Sequence, residues 1–347
     1  MKKFLSIALA LLMVCVMLPV VALAAEKTAS TYEELKSAIS TANDGDTIKL
    51  LADIDLSQTI TVNKTITLNM NGKKLYNTSD LWDKPTAEAD NWSLISVRGS
   101  GNLTITGNGT FAAKENDCYA VDVQESATVT IKNGTFIGNI HAVYVFAGTA
   151  NVEGGTYSVQ QKYPDSAKGD EFVLNCYDAN RANGTARINV TGGTFKNFNP
   201  ADNKAEGEGN NFADNSLVVQ KNNTVQNNDY YVGNAANEVI AAASKGEEIF
   251  VLNGTTLTNV PAGVIIQNGT DGEITVNGEK IGPNEGGDSG YVVPAPTTIV
   301  IITPSEDTTP KTDDQKNPST GANDFVGLAA AAAVVALLGS AVVLRKK

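Results

Sequence analysis

Gly101-Asn-Leu-Thr-Ile-Thr-Gly-Asn-Gly-Thr-Phe111 is a phrase that the chain repeats. It returns as Ala127-Thr-Val-Thr-Ile-Lys-Asn-Gly-Thr-Phe136, as Thr149-Ala-Asn-Val-Glu-Gly-Gly-Thr-Tyr157 and as Ala186-Arg-Ile-Asn-Val-Thr-Gly-Gly-Thr-Phe195. Each copy reads as a short strand. Leu103/Ile105, Val129/Ile131 and Ile188/Val190 alternate with polar neighbours, as a strand with one buried face requires. A Gly-containing turn and one aromatic close each copy, at 111, 136, 157 and 195, in steps of 25, 21 and 38 residues.

A second short stretch precedes each phrase, at Leu94–Val97, Tyr119–Val123, His141–Val145 and Glu171–Leu174. Two or three short strands per repeat, joined by Gly/Asn turns, predict one coil of a parallel β-helix. A single coil cannot bury its apolar side. Stacked coils bury each inward row on the next, with strands about 4.8 Å apart. A β-sandwich also has short strands and frequent turns, but it does not call for a repeated closing phrase. The expected fold class is all-β, a parallel β-helix solenoid with an N-terminal capping helix, a disordered stalk and a C-terminal transmembrane helix.

The 347 residues carry a net charge of −12. Loss of a signal segment and of the tail after Thr320 would remove five cations (Lys2, Lys3, Arg345, Lys346, Lys347) and one anion (Asp324), leaving the chain more acidic. Such a surface repels phosphate backbones, so no nucleic-acid partner is expected. Of three cysteines, Cys15 lies in the signal segment. Cys118 and Cys176 fall two coils apart, too far for a disulfide, and are read as reduced. One histidine, His141, leaves no Cys/His cluster for a metal, and no cofactor is expected.

Residues 1–24 have a basic start (Lys2, Lys3), an apolar run (Phe4–Val21) and a small-residue cleavage site (Ala22-Leu-Ala24), the three parts of a secretory signal. Residues 25–45 hold an amphipathic helix. Thr31 and Glu34 form its capping box, Leu35, Ala38, Ile39 and Ala42 its apolar stripe, and it covers the open end of the first coil. The solenoid spans 46–228. Residues 229–283 repeat the opening plan, either as a continuation of the solenoid or as a small module. Residues 284–316, rich in Pro, Thr, Asp and Gly, read as an extended stalk. Residues 317–347 combine Asn317-Pro-Ser-Thr-Gly321, an apolar run at 325–344 and Arg345-Lys-Lys347. Twenty residues at 1.5 Å each span about 30 Å, one bilayer core, and the cations stay cytoplasmic.

This order of motif, span and basic tail resembles the cell-wall sorting signal of Gram-positive surface proteins. The resemblance implies a sortase that cuts after Thr320 and joins it to peptidoglycan. Asn317, Pro318, Ser319, Thr320 and Gly321 would be its recognition site, with Asn317 where the usual motif has Leu. A plain single-span membrane protein is the rival reading; a GPI signal would end apolar, not basic. Residues 46–283 resemble the pectate-lyase-like parallel β-helix proteins, an architectural likeness carried by the Gly-Thr-aromatic phrases. Enzymes of that group set clustered carboxylates and a base on the outer face, and its lyases add calcium, which would enter here only under a lyase reading.

Aligning the coils puts Ser96, Asp122, Tyr144 and Val173 in one outward row, with Arg98 beside Ser96. That row offers one acid and one base without a second carboxylate. Asp53-Ile-Asp55 points two carboxylates to one face, as an exposed polar strand also would. The insertion Asn77–Asn91 holds or adjoins both tryptophans, Trp82 and Trp92, with Asp83 and Asp90 near them. Sugar faces stack on indole while carboxylates accept hydroxyl hydrogen bonds, so these four are candidate glycan-binding residues. The same aromatics would also serve to pack the loop onto the solenoid. Three functions stay open: a non-catalytic adhesin for host or wall glycans, a surface-displayed polysaccharide lyase or hydrolase, and a passive spacer.

Overall fold

The computed structural model describes residues 24–82, 92–161, 172–202, 211–221, 228–284 and 289–296. The expected signal peptide through 23, the expected stalk at 285–288 and beyond 296, the sorting motif at 317–321, the span at 325–344, and Asp83 and Asp90 lie outside the described residues. The start of the expected stalk is instead folded onto the β structure: Tyr291–Val292 pairs antiparallel with Ile265–Ile266, and Val293 is buried, because the apolar Tyr-Val-Val run finds an open strand edge.

The protein is mostly β, with three parallel sheets wound coil upon coil. The first sheet runs Glu26–Ala29, Thr47–Leu50, Thr65–Asn69, Asn102–Thr106, Thr128–Ile131, Gly148–Val152 and Ala186–Val190. The second runs Ile60–Val62, Ser93–Val97, Tyr119–Val123, Val143–Val145 and Leu174–Cys176. The third begins Ile54–Asp55, Lys74–Tyr76, Thr110–Ala112, Thr135–Gly138, Thr156–Val159 and Gly193–Lys196. Each strand pairs in parallel with its counterpart one coil away, an arrangement compatible with a β-helix.

Register explains the repeated phrase. Ile54, Leu75, Phe111, Phe136, Tyr157 and Phe195 are successive partners in the third sheet. The four aromatic rings stack at 4.9, 5.1 and 5.0 Å between centroids, within 14° of parallel. All four are fully buried. Gly134, Gly155 and Gly193, two residues before their aromatics, have φ of 115°, 101° and 122°. A Cβ there would sit 3.1, 2.9 and 3.0 Å from a carbonyl oxygen of the preceding coil, so the phrase needs glycine for both shape and clearance. Two valine-rich files, Ile60–Ile95–Val121–Val143–Leu174 and Val62–Val97–Val123–Val145–Cys176, line the second sheet's inner side.

The helix expected as a cap spans Tyr32–Ser40 and buries Leu35, Ala38 and Ile39. Thr31 Oγ1 accepts from Glu34 N at 3.2 Å, while Glu34 Oε2 accepts from Ser30 N at 2.7 Å. Residues 25–45 also contain a strand the sequence did not announce, Glu26–Ala29, which pairs along the full length of Thr47–Leu50. Beyond Lys196 the third sheet continues, but through antiparallel strands: Asp229–Val232 on Gly193–Lys196, then Val218–Lys221 and Glu248–Asn253. Residues 229–283 therefore continue that sheet: Val232 joins the main core, while a second cluster around Ile240, Val251 and Ile266 also takes in Val219 and Val293. Cys118 and Cys176 are buried and unbridged. No helix among the described residues is long and apolar enough to cross a membrane.

Candidate functional site

The outer side of the second sheet carries two files of side chains two residues apart along each strand. The inner of the two is Ser96–Asp122–Tyr144–Asn175. Asn175 takes the place expected for Val173, because the last strand is Leu174–Cys176 rather than Glu171–Leu174; Val173 is buried. The next file is Arg98–Gln124–Phe146–Tyr177. Its register follows from the backbone N–H groups of Gln124, Phe146 and Tyr177, which donate to Val97, Val123 and Val145.

Polarity changes along these files. In the first coils Asp122 is sealed, with no solvent exposure. Its Oδ2 accepts from Ser96 Oγ at 2.8 Å and its Oδ1 from Gln124 Nε2 at 2.7 Å. Arg98 Nε donates to Ser96 Oγ at 3.1 Å, so the acid and base expected on this row belong to one closed network. A buried carboxylate is tolerable when its lone pairs are filled in this way. In the last coils the files open. Tyr144 and Asn175 are half-buried, while Phe146 is 38% and Tyr177 44% exposed. The Phe146 and Tyr177 rings stack at 4.8 Å, and Asn180 Nδ2 donates to Phe146 O at 2.7 Å.

The loop tryptophans join the same face. Trp82 lies 6.4 Å from Trp92 and meets Tyr119 edge-on at 5.4 Å. Tyr119 contacts His141 at 4.7 Å and Tyr144 at 5.2 Å, and His141 stacks on Tyr144 at 5.2 Å. Phe172 closes the group edge-on against His141 at 6.1 Å. Trp82 and Tyr144, read from the sequence as separate candidates, thus belong to one aromatic cluster that climbs the coils.

His141 is packed, 6% exposed. Its Nδ1 lies 2.7 Å from Phe172 O, an acceptor only, so Nδ1 carries the proton and Nε2 accepts from Asn175 Nδ2 at 3.3 Å. Burial disfavours the imidazolium and pulls its pKa down to about 4. Asn175 Oδ1 is left without a hydrogen-bond partner among the described residues.

Catalytic groups do not converge here. Asp122 is the only carboxylate on the two files, and both its oxygens are occupied. No group of three or more His, Cys, Asp or Glu side chains among the described residues could hold a metal ion. Asp53 and Asp55 cap their own sheet: Asp53 Oδ1 accepts from Lys74 N, and Asp55 accepts from Thr78 N and Oγ1. A concavity of about 340 Å³ lies beside Ala186–Val190, lined in part by Arg181, Arg187, Phe212 and Asp214. Its arginines have structural partners, Arg181 on Asp178 at 3.5 Å and Arg187 Nε on Gly184 O at 3.3 Å.

Tyr119, Phe146, Phe172, Asn175 and Tyr177 join the site without being candidates on sequence grounds. The signal was register, since Phe146 and Tyr177 follow Val145 and Cys176 as Gln124 follows Val123. Comparison with protein families, with curated proteins and with solved structures finds no match to this chain.

Proposed function

We propose that this chain is a cell-wall-anchored Gram-positive surface protein whose β-helix binds glycans without catalysis. The observation that carries the binding reading is the outer face of the second sheet. It presents half-buried Trp82, Trp92, Tyr119 and Tyr144, the exposed Phe146–Tyr177 pair and the half-buried amide of Asn175. Flat apolar rings beside a few polar groups suit pyranose faces and their hydroxyls. The negative charge of the chain favours neutral over acidic polysaccharides. Anchoring rests on the sequence of Asn317–Gly321, the apolar run that follows and the terminal cations. A sortase and peptidoglycan are accordingly its processing partners, with host or wall glycans as ligands.

Incubation with neutral and acidic polysaccharides tests the binding reading. Retention of a neutral glycan with the polymer intact supports it. Unsaturated products or new reducing ends would replace it with an enzyme, and retention of none would leave a spacer. Mass spectrometry of wall digests tests the anchoring, which predicts Thr320 in amide linkage to a peptidoglycan amine.

A further inference from the structure

The loop that delivers Trp82 begins at Asn77, and one side chain from a distant turn holds its start. Asp117 is 5% exposed. Its Oδ1 accepts from Leu81 N at 3.0 Å and Trp82 N at 2.9 Å, and its Oδ2 from Leu81 N at 2.9 Å and Asn77 Nδ2 at 2.6 Å. Asn77 returns the grip, since its Oδ1 accepts from Lys114 N at 2.8 Å. The Leu81 side chain is fully buried beside this clamp. Three donors on one carboxylate fix two successive backbone amides, and the indole of Trp82 follows them onto Tyr119.

We infer that Asp117 is a positioning residue of the glycan-binding face, acting through Trp82; this rests on the binding reading above. An Asn at 117 would keep the shape but offer one acceptor oxygen to three donors and turn an NH2 toward the others. The backbone at 81–82 would then loosen and Trp82 would leave the edge of Tyr119. Lys114 and Asp80 form an ion pair of 2.5 Å nearby, largely exposed, and breaking it should leave Trp82 in place.

The test reads emission in a Trp92→Phe background, so that it reports Trp82 alone, and reads retention of soluble mixed-linkage β-glucan in chains that keep Trp92. Asp117→Asn should shift the emission to the red, raise acrylamide quenching about twofold and weaken glucan retention about tenfold, as loss of a buried acceptor implies. Asp117→Glu should recover part of each change, and Lys114→Ala should cause none. In a Trp82→Ala chain, Asp117→Asn should weaken retention no further, because residues acting through one group are not additive. Unmoved Trp82 emission, or losses that add, would overturn the inference. Should the wild-type chain retain no glucan, the binding reading falls, while the emission still decides whether Asp117 positions Trp82. If Asp117→Asn does not fold, Asp117→Glu carries the same comparison.

Discussion

Trp82 meets the ring of Tyr119 edge-on at 5.4 Å, joining an inserted loop to the regular face of the second sheet. Such a contact contributes about 0.5–1.5 kcal/mol beyond area burial. Trp82→Ala should therefore lower the urea midpoint only slightly while it weakens glycan retention. Equal retention by the wild type and the variant would remove the loop from the binding face.

Inside the coils the aromatic column has the opposite character. Phe136 lies between Phe111 and Tyr157, fully buried and stacked on both. Phe136→Ala should cost about 3–5 kcal/mol, because a rigid stack of coils relaxes poorly around a cavity. Chemical denaturation measures this, and a loss below about 1 kcal/mol would mean that the column does not hold the coils together.

Asp122 is sealed under its row, so its role in stability can be separated from any role in chemistry. Asp122→Ala strands Ser96 Oγ and Gln124 Nε2 and should destabilise by about 1–3 kcal/mol. It should not create or abolish turnover of any polysaccharide in a reducing-end assay.

His141, the only histidine, gives a clean pH signature. Its folded pKa of about 4 lies below the ordinary 6.5, so the unfolded chain binds the proton first. The neutral, packed form is fully favoured above pH 6.5, and stability falls as pH drops from 6.5 toward 4, by about 3 kcal/mol at most. The urea midpoint should decline over that window in the wild type and less so in His141→Phe. Proton NMR of the single imidazole should show no titration above pH 5.

Most of the scaffold was legible because stacking writes itself into the chain: each coil must supply the same inward residues and the same turn glycines. Phe111, Phe136, Tyr157 and Phe195 announce the column for that reason. Legibility fails where the period breaks. The 38-residue step to Phe195 hides the register of Leu174–Cys176, so the sequence alone points to Val173 where the fold places Asn175. Glu26–Ala29 has the look of a charged lead-in and becomes a strand only because Thr47–Leu50 offers an edge. Asp117 reads locally as part of a turn, Glu115-Asn-Asp117. Its clamp depends on amides 35 and 36 residues away, which no local pattern encodes.

Burial pushes the Cys118 thiol up, away from the reactive thiolate, and Cys176 is buried as well. Neither should react with a thiol reagent until the chain unfolds, and a reducing agent should leave the melting temperature unchanged. Fast labelling of the folded protein would contradict the packing at both positions.

Whether the open coils of the second sheet bind neutral glycan is decided by calorimetric titration with soluble mixed-linkage β-glucan. The wild type is compared with a Tyr144→Ala, Tyr177→Ala double variant. The wild type should bind and the variant should bind at least about tenfold more weakly, with its urea midpoint lowered by no more than these partly exposed rings allow. Binding of equal strength by both chains, or none by either, would contradict it.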